Sequence, residues 1–401
     1  MGAQTRGGTD RTGRAGPRVA IVHDWLVTPG GAELVLAEMV AVFPQADVFT
    51  LIDERREAYG AARGGRRATT SFLQHMPGIF RHYRSLLPLM PLALRGLDVG
   101  AYDIVISNSH AVAKGVRTHD RQLHLCYCLS PMRYAWDLRE QYLRESGLDR
   151  GVKGALARAM LERMRRWDLA NTSGVDAFAT LSRYIAERIQ RAYQRTAEVI
   201  YPPVDTEFFT PGGAGRGAST DSARWSPHDF YVTASRFVPY KRIDLIARAF
   251  AGLGDRRLVI IGDGPDAAKV RAAAGPNVTL LGRQPRDVVR DHLRRARAFV
   301  FAAEEDFGIA PVEAQACGAP VIAFARGGVT ETITWGPGGT GVVFEEQTEG
   351  AIVDAVRRFE SLPERIPEAR CRERALLFRS DRFRREFGDF VTRKAREFGP
   401  A

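Results

Sequence analysis

The chain has 401 residues, 45% of them hydrophobic, and a formal charge of +11. That length exceeds one ordinary core and predicts two domains, while the charge predicts an anionic partner: a phosphorylated metabolite, nucleic acid or an anionic lipid surface. The four scattered cysteines, Cys126, Cys128, Cys317 and Cys371, exclude a disulfide framework, and Cys126-Tyr-Cys128 lacks the second ligand pair of a zinc site.

In chain order, residues 1–16, "MGAQTRGGTDRTGRAG", have no apolar run for a signal peptide and no Ser or Thr at position 6 for myristoylation; they read as a disordered tail. "RVAIVHDWL" then predicts a strand, "TPGGAE" a loop around Gly30 and Gly31, and "AELVLAEMVAVF" a helix. The runs "DVFTLI", "YDIVISNS", "QLHLCYCLS", "AFATLS" and "AEVIYPPV" continue the alternation of strand and helix, which is the pattern of a parallel sheet covered on both faces. The most apolar stretch, "LLPLMPLAL" at 86–94, is too short and too proline-broken to span a membrane.

Residues 211–228, rich in Gly, Ser, Ala and Pro, predict a flexible surface loop. The alternation then restarts through "FYVTAS", "RLVIIGDG", "NVTLLG", "AFVFAA", "PVIAFARGG" and "GVVF". The expected fold is α/β: two Rossmann-like doubly wound domains facing a central cleft. They run over 17–200 and 201–379, with a C-terminal helix at 380–401 returning to the first.

Within the second domain, "EEDFGIAPVE" places Glu305 and Glu313 on either side of Phe307-Gly308. Pro311 suits the first position of a helix, Gly308 lets backbone approach a ligand, and the N–H groups of Gly308, Ile309 and Ala310 then offer a helix N-terminus to an anion. Glu313 in the first helical turn suits the vicinal diol of a ribose; the bland alternative is a carboxylate complementing the helix dipole. "ASRFVPYKRIDLI" sets Arg236 and Lys241 around a proline turn, where a fork and a point charge can reach one diphosphate, or where both are simply solvated. Gly262 and Gly264 in "IIGDGPD", Gly282 and Arg283 in "LLGRQPRD", and the glycines of "ARGGVTE" mark turns expected to approach a ligand or the facing domain closely. None of these turns fits the phosphate-loop pattern, and G-x-G-x-x-G is absent after the first strand.

In the first domain, "SNSHAVAKG" places His110 beyond a strand end, in reach of a sugar hydroxyl or serving structure only. "CLSPMRYAWD" gathers Arg133, Tyr134, Trp136 and Asp137, a mixture used by carbohydrate sites and equally by packed cores.

These residues resemble the retaining glycosyltransferases of family 4, built on the GT-B fold, over nearly the whole chain from Arg18 onward. E-x7-E (Glu305, Glu313) is the most specific element, supported by "SRFVPYKRID", "TPGGAE" and "GGVTE". The resemblance implies a nucleoside-diphosphate-sugar donor, retention at the anomeric carbon, no cofactor and no metal. It implies Glu313 on the ribose, Glu305 and backbone 307–310 around sugar and phosphate, Arg236 and Lys241 on the diphosphate, and Arg283 by the base. "SNSHAVAKG" and "PMRYAWD" look most like bacterial mannosyltransferases of cell-surface polysaccharide assembly, which implies GDP-mannose and a glycan or lipid-linked acceptor. A UDP-sugar transferase, a nucleotide-sugar epimerase and a basic nucleic-acid-binding protein are the alternatives, the last without the interleaved aromatics it needs. The expected location is cytoplasmic, peripheral at the inner face of the plasma membrane. Segments 72–95 and 150–166 would dock there on anionic lipid, the second with Leu156, Met160, Leu161 and Met164 on an apolar stripe.

Overall fold

Strand β1 (Val19–His23) is buried at every residue, as are β4 (Ile104–Ser109) and β5 (Leu123–Cys128), which is what a strand covered on both faces requires. The computed structural model describes residues 16–27, 30–54, 67–136, 139–145, 147–148, 150–212 and 228–399; the predicted 1–16 tail and the 211–228 loop lie almost wholly outside these. β2 (Asp47–Thr50), β3 (Thr69–Thr70), β6 (Ala177–Thr180) and β7 (Ala197–Val199) complete a parallel sheet of order β3-β2-β1-β4-β5-β6-β7. Ile21 stands opposite Ile106 and Ile106 opposite Leu125, so the central strands stack their apolar residues in register. The two-residue edge strand β3 has no sequence signal of its own.

The connecting helices are α1 (Gly31–Val42), α2 (Ile79–His82), α3 (Met90–Leu94), α4 (Arg139–Glu145), α5 (Gly151–Ala170) and α6 (Arg183–Tyr193). One apolar cluster joins β1, β2 and β4 to the 72–99 segment through Leu73, Ile79, Tyr83, Met90, Leu94 and Leu97. Full burial of each such side chain contributes about 1.5–3 kcal/mol.

The second sheet runs β10-β9-β8-β11-β12-β13, with β8 (Phe230–Ala234), β9 (Arg257–Ile261), β10 (Val278–Gly282), β11 (Ala298–Phe301), β12 (Val321–Phe324) and β13 (Gly341–Phe344), all parallel. Helices α7 (Ile243–Ala251), α8 (Ala267–Ala273), α9 (Arg286–Arg295), α10 (Ile309–Ala316), α11 (Glu349–Glu360) and α12 (Glu368–Leu376) link the strands or follow the last of them. Tyr231, Phe250, Ile260, Val300, Ile322 and Val356 belong to its core.

The chain divides into two compact units: residues 1–180, 186–200 and 384–401 form the first, and 181–185 with 201–383 the second. The last helix, α13 (Ser380–Phe398), therefore begins in the second unit and belongs to the first from Arg384. Its Phe387 and Phe390 are buried, with Phe387 edge-on to Phe43 and Tyr127. In each sheet the strand order reverses once, between β1 and β4 and between β8 and β11. Open α/β sheets bind ligands outside the carboxyl ends of the strands at such switch points.

Candidate active site

At the second unit's switch point the turn after β8 carries Arg236 and Lys241, and the loop after β11 carries Glu304 to Gly308. Lys241 forms an ion pair with Glu305, both side chains about one-sixth exposed. Two residues assigned to different parts of a donor are thus brought together. Arg236 is exposed, and its guanidinium has no partner among the described residues. Beside the pair, Gln347 donates to the Ala302 carbonyl at 2.7 Å and accepts from Arg242 at 3.2 Å, fixing the base of both loops.

Helix α10 starts at Ile309, not at Pro311, with Gly308 as N-cap in the left-handed region (φ 86°). Pro311 is the third helical residue. Its missing N–H falls in the first turn, where no intrahelical partner exists, so the earlier start costs no hydrogen bond. Gly308 adds no side-chain cap, which leaves the N–H groups of the first turn facing outward from the cap. The Phe307 side chain is buried against Tyr201 and Phe378, with ring centroids 6.1 and 5.4 Å away. It anchors the loop, and only its backbone is available to a ligand.

Glu313, on α10, is partly buried. Its carboxylate accepts no hydrogen bond among the described residues. Burial pushes its carboxyl up to about 7, against the pull of Arg286 and with a further push from Asp205. Arg286 itself is held by Asp205 (2.8 Å) and lies over the Phe208 ring at 4.4 Å. Asp205, Phe208 and Arg286 were missed in the sequence, because Asp205 and Arg286 are 81 positions apart. Arg283 is exposed, without a partner among the described residues.

Two of the glycines have a packing role inside their own unit. A Cβ on Gly262 would stand 1.8 Å from the Ser235 carbonyl, and one on Gly328 would stand 2.2 Å from that of Asp306. These glycines let loops of the same unit lie on one another, holding the Arg236 turn and the Glu305 loop in place. The Glu331 carboxylate of "GGVTE" accepts from the N–H groups of Arg183 and Tyr184 at 2.9 Å and from the Tyr201 hydroxyl at 3.1 Å, so it is committed to structure.

At the first unit's switch point β1 ends in His23-Asp24 and β4 in Asn108-Ser109-His110. Asp24 is fully buried and faces His110 Nδ1 at 3.0 Å. His23 is also fully buried, with neither ring nitrogen hydrogen-bonded and Nε2 3.9 Å from Glu33 Oε1. Asn108 donates to the Ala32 carbonyl at 3.0 Å and ties the start of α1 to β4. Gly30 is the extended N-cap of α1 and Gly31 its first residue, so the glycine loop does lead into a helix N-terminus. Of this group sequence reasoning named only His110, Gly30 and Gly31. The signal for Asp24 was its place directly after the first strand of a doubly wound sheet.

The segment after β5 is less open than expected. The Trp136 indole N–H donates to Asp168 Oδ2 at 2.8 Å, and the ring lies edge-on to Tyr193 and beneath Arg165. Asp168 also accepts from the Tyr193 hydroxyl at 2.7 Å and pairs with buried Lys114. Trp136 is therefore part of a buried polar cluster. Tyr134 packs against the first core, Arg133 is half-buried, and Asp137 lies outside the described residues. All four cysteines are free and buried. Among the described residues no group of three or more His, Cys, Asp or Glu is arranged to hold a metal ion.

A sequence profile described as glycosyl transferases group 1 matches residues 222–376, within the second unit. Among curated relatives, a D-inositol 3-phosphate glycosyltransferase of Mycobacterium sp. (strain KMS) is 33% identical over 39% of this chain and 36% of its own length. A GDP-mannose-dependent alpha-(1-6)-phosphatidylinositol monomannoside mannosyltransferase of Mycobacterium tuberculosis (strain CDC 1551 / Oshkosh) is 31% identical over 46% of this chain and 52% of its own. The chain thus spans between about a third and a half of the length of these relatives. Anabaena Alr3699/HepE, solved in complex with UDP and glucose, matches 94% of this chain and 99% of its own at 16% identity, with a TM-score of 0.65. That likeness establishes the fold as GT-B: two doubly wound α/β domains.

Proposed function

We propose that the protein is a retaining glycosyltransferase that moves a hexose, mannose from GDP-mannose in the first instance, from a nucleoside-diphosphate sugar to a glycan or lipid-linked acceptor. The observation that carries this reading is the second switch point, where the turn after β8 and the loop and helix after β11 carry the Lys241–Glu305 pair, a helix N-terminus, and a guanidinium and a carboxylate that have no partner among the described residues. Each part suits a different piece of the donor. Glu313 accepts from the two ribose hydroxyls, a contact that compensates the burial of its charge. Arg236 and Lys241 neutralise the diphosphate as it departs, and Lys241 does so by exchanging Glu305 for phosphate oxygen. Glu305, released, turns to the hydroxyls of the transferred sugar. Positive charge from side chains replaces a metal ion in this reading. The match of the second unit to the glycosyl transferases group 1 profile supports it. The resemblance to a GDP-mannose-dependent relative favours mannose.

The test is nucleoside-diphosphate release from a panel of GDP- and UDP-sugars with lipid extract as acceptor, with the anomer of the product read by NMR. Release with GDP-mannose and a retained anomer supports the reading, and release only with UDP-sugars moves the donor assignment. Donor consumed without acceptor to give an epimer removes it.

The proposal includes an anionic membrane surface at the cytoplasmic face as docking site. Helix α5 exposes Val152 (87%) and Leu156 (68%) among its cations, and only Met164 of the predicted stripe is buried. Phe72, Leu89 and Leu92 of the other segment are exposed as well. No helix among the described residues is long and apolar enough to cross a membrane. Cosedimentation with anionic but not neutral vesicles, lost on charge reversal of exposed Arg163 and Arg166, is the expected result. Arg165 is left intact there because it stacks on Trp136.

A further inference from the structure

Asp24 holds the loop after β4 by an unusual number of contacts. Oδ2 accepts the backbone N–H groups of His110 (2.7 Å) and Ala111 (3.0 Å), and Oδ1 those of Val112 and Ala113 (2.7 Å each). A carboxylate accepting several backbone N–H bonds is stabilised in its charged form. Burial works against that charge, but the charge and hydrogen bonds of His110, with His23 behind it, hold Asp24 well below the ordinary carboxylate range. The site therefore keeps a fixed negative charge 3.0 Å from His110 Nδ1.

The ring of His110 is oriented from two sides. Nδ1 is buried toward Asp24, and Trp25 meets the ring edge-on with centroids 4.6 Å apart. The side chain nonetheless keeps 30% of its exposure, and Nδ1 has no share in it. The other groups acting on the ring are Glu33 from α1, which favours its charge, and Arg133 from the segment after β5, which opposes it. Burial lowers the ring's affinity for a proton, but the Asp24 carboxylate outweighs it and the net direction is upward.

We propose that Asp24 is a positioning residue for His110, its carboxylate keeping the Nδ1 edge turned inward so that the other edge of the ring is presented to an oxygen of the bound sugar. The Asp24 carboxylate beside Nδ1 favours the charged ring, the form in which both ring nitrogens donate. The identity of the ligand rests on the glycosyl-transfer reading; the state of the ring does not.

Proton NMR of histidine Cε1–H in the full-length protein without substrate follows the ring directly, with the resonance assigned by its loss in His110→Gln. The wild-type ring should titrate above the ordinary 6.5. Asp24→Asn should lower that midpoint by about one unit or more, the scale of losing an adjacent opposite charge. In transfer assays the Asp24→Asn/His110→Gln double variant should turn over like His110→Gln alone, because Asp24 acts through the ring. Additive losses overturn the proposal, as does a midpoint that Asp24→Asn leaves unmoved in a folded protein. If Asp24→Asn does not fold, the wild type decides, and a midpoint at or below 6.5 overturns the proposal. Absence of transfer with every donor would remove the sugar as ligand, while the titration would still decide whether Asp24 fixes the ring.

Discussion

The two switch points hold similar residue types in opposite states. In the first unit the carboxylate of Asp24 is saturated by four backbone N–H groups and stands 3.0 Å from His110 Nδ1. In the second, the Glu313 carboxylate accepts no hydrogen bond among the described residues and its charge is disfavoured by burial. A saturated buried carboxylate stabilises its own fold, whereas an unsatisfied one destabilises its fold until a ligand supplies donors. Substitutions at equivalent places in the two sheets should therefore have opposite signs.

The largest effect is expected at Asp24. Asp24→Ala strands four buried N–H groups and should destabilise the first unit by roughly 3–5 kcal/mol in chemical denaturation, the range for breaking a buried charged network. A loss no larger than that of a surface substitution would contradict the saturated state. Next comes Lys241→Ala, which should lower turnover ~10²–10³-fold on the scale of lost electrostatic catalysis, with EDTA leaving the wild type unaffected. Strict dependence on added Mn²⁺ or Mg²⁺ would contradict the assignment of that charge to the side chains.

Glu313→Gln reverses the sign. The folded carboxyl is raised from 4.5 to about 7, so the cost of ionising it is absent below 4.5 and fully present above 7. The glutamine variant should therefore melt like the wild type in acid and higher above neutrality, by at most roughly 3 kcal/mol of stability, less whatever residual solvent screens. An unchanged Tm across that window would contradict the burial of the charge. Trp136→Phe should show the smallest effect, the loss of one hydrogen bond to a charged group at ~1.5–3 kcal/mol, with acceptor KM unaltered. A raised acceptor KM at wild-type stability would return Trp136 to the acceptor site.

The strand and helix order was legible because each central strand is an unbroken apolar run bounded by polar or glycine turns, as in "YDIVISNS" and "RLVIIGDG". The close sequence cluster at Glu305–Glu313 was legible for the same local reason. The pairings that define the sites were not. Lys241 meets Glu305 across 64 positions, and Asp24 meets the loop after β4 across 86 to 89. Such contacts follow from strand order, which local pattern does not encode. Trp136 stayed open in the sequence because its aromatic character suits a sugar and a core equally, and its hydrogen bond to Asp168, 32 positions away, leaves no local signal. The partners of the glycines were not legible either: close backbone approach was expected toward a ligand or the facing domain, and Gly262 and Gly328 closely approach neighbouring loops of their own unit.

The most direct test of the donor assignment is calorimetric titration of the protein with GDP-mannose, and with a UDP-sugar in parallel, in two buffers of different ionisation enthalpy. The account predicts saturable binding that releases a proton below neutral pH, as Glu313 ionises to receive the ribose, and releases none well above it. Both the affinity and the proton should be lost in Glu313→Gln. Binding of wild-type strength in Glu313→Gln and in Lys241→Ala would contradict the account, because the donor would then lie elsewhere than at the second switch point.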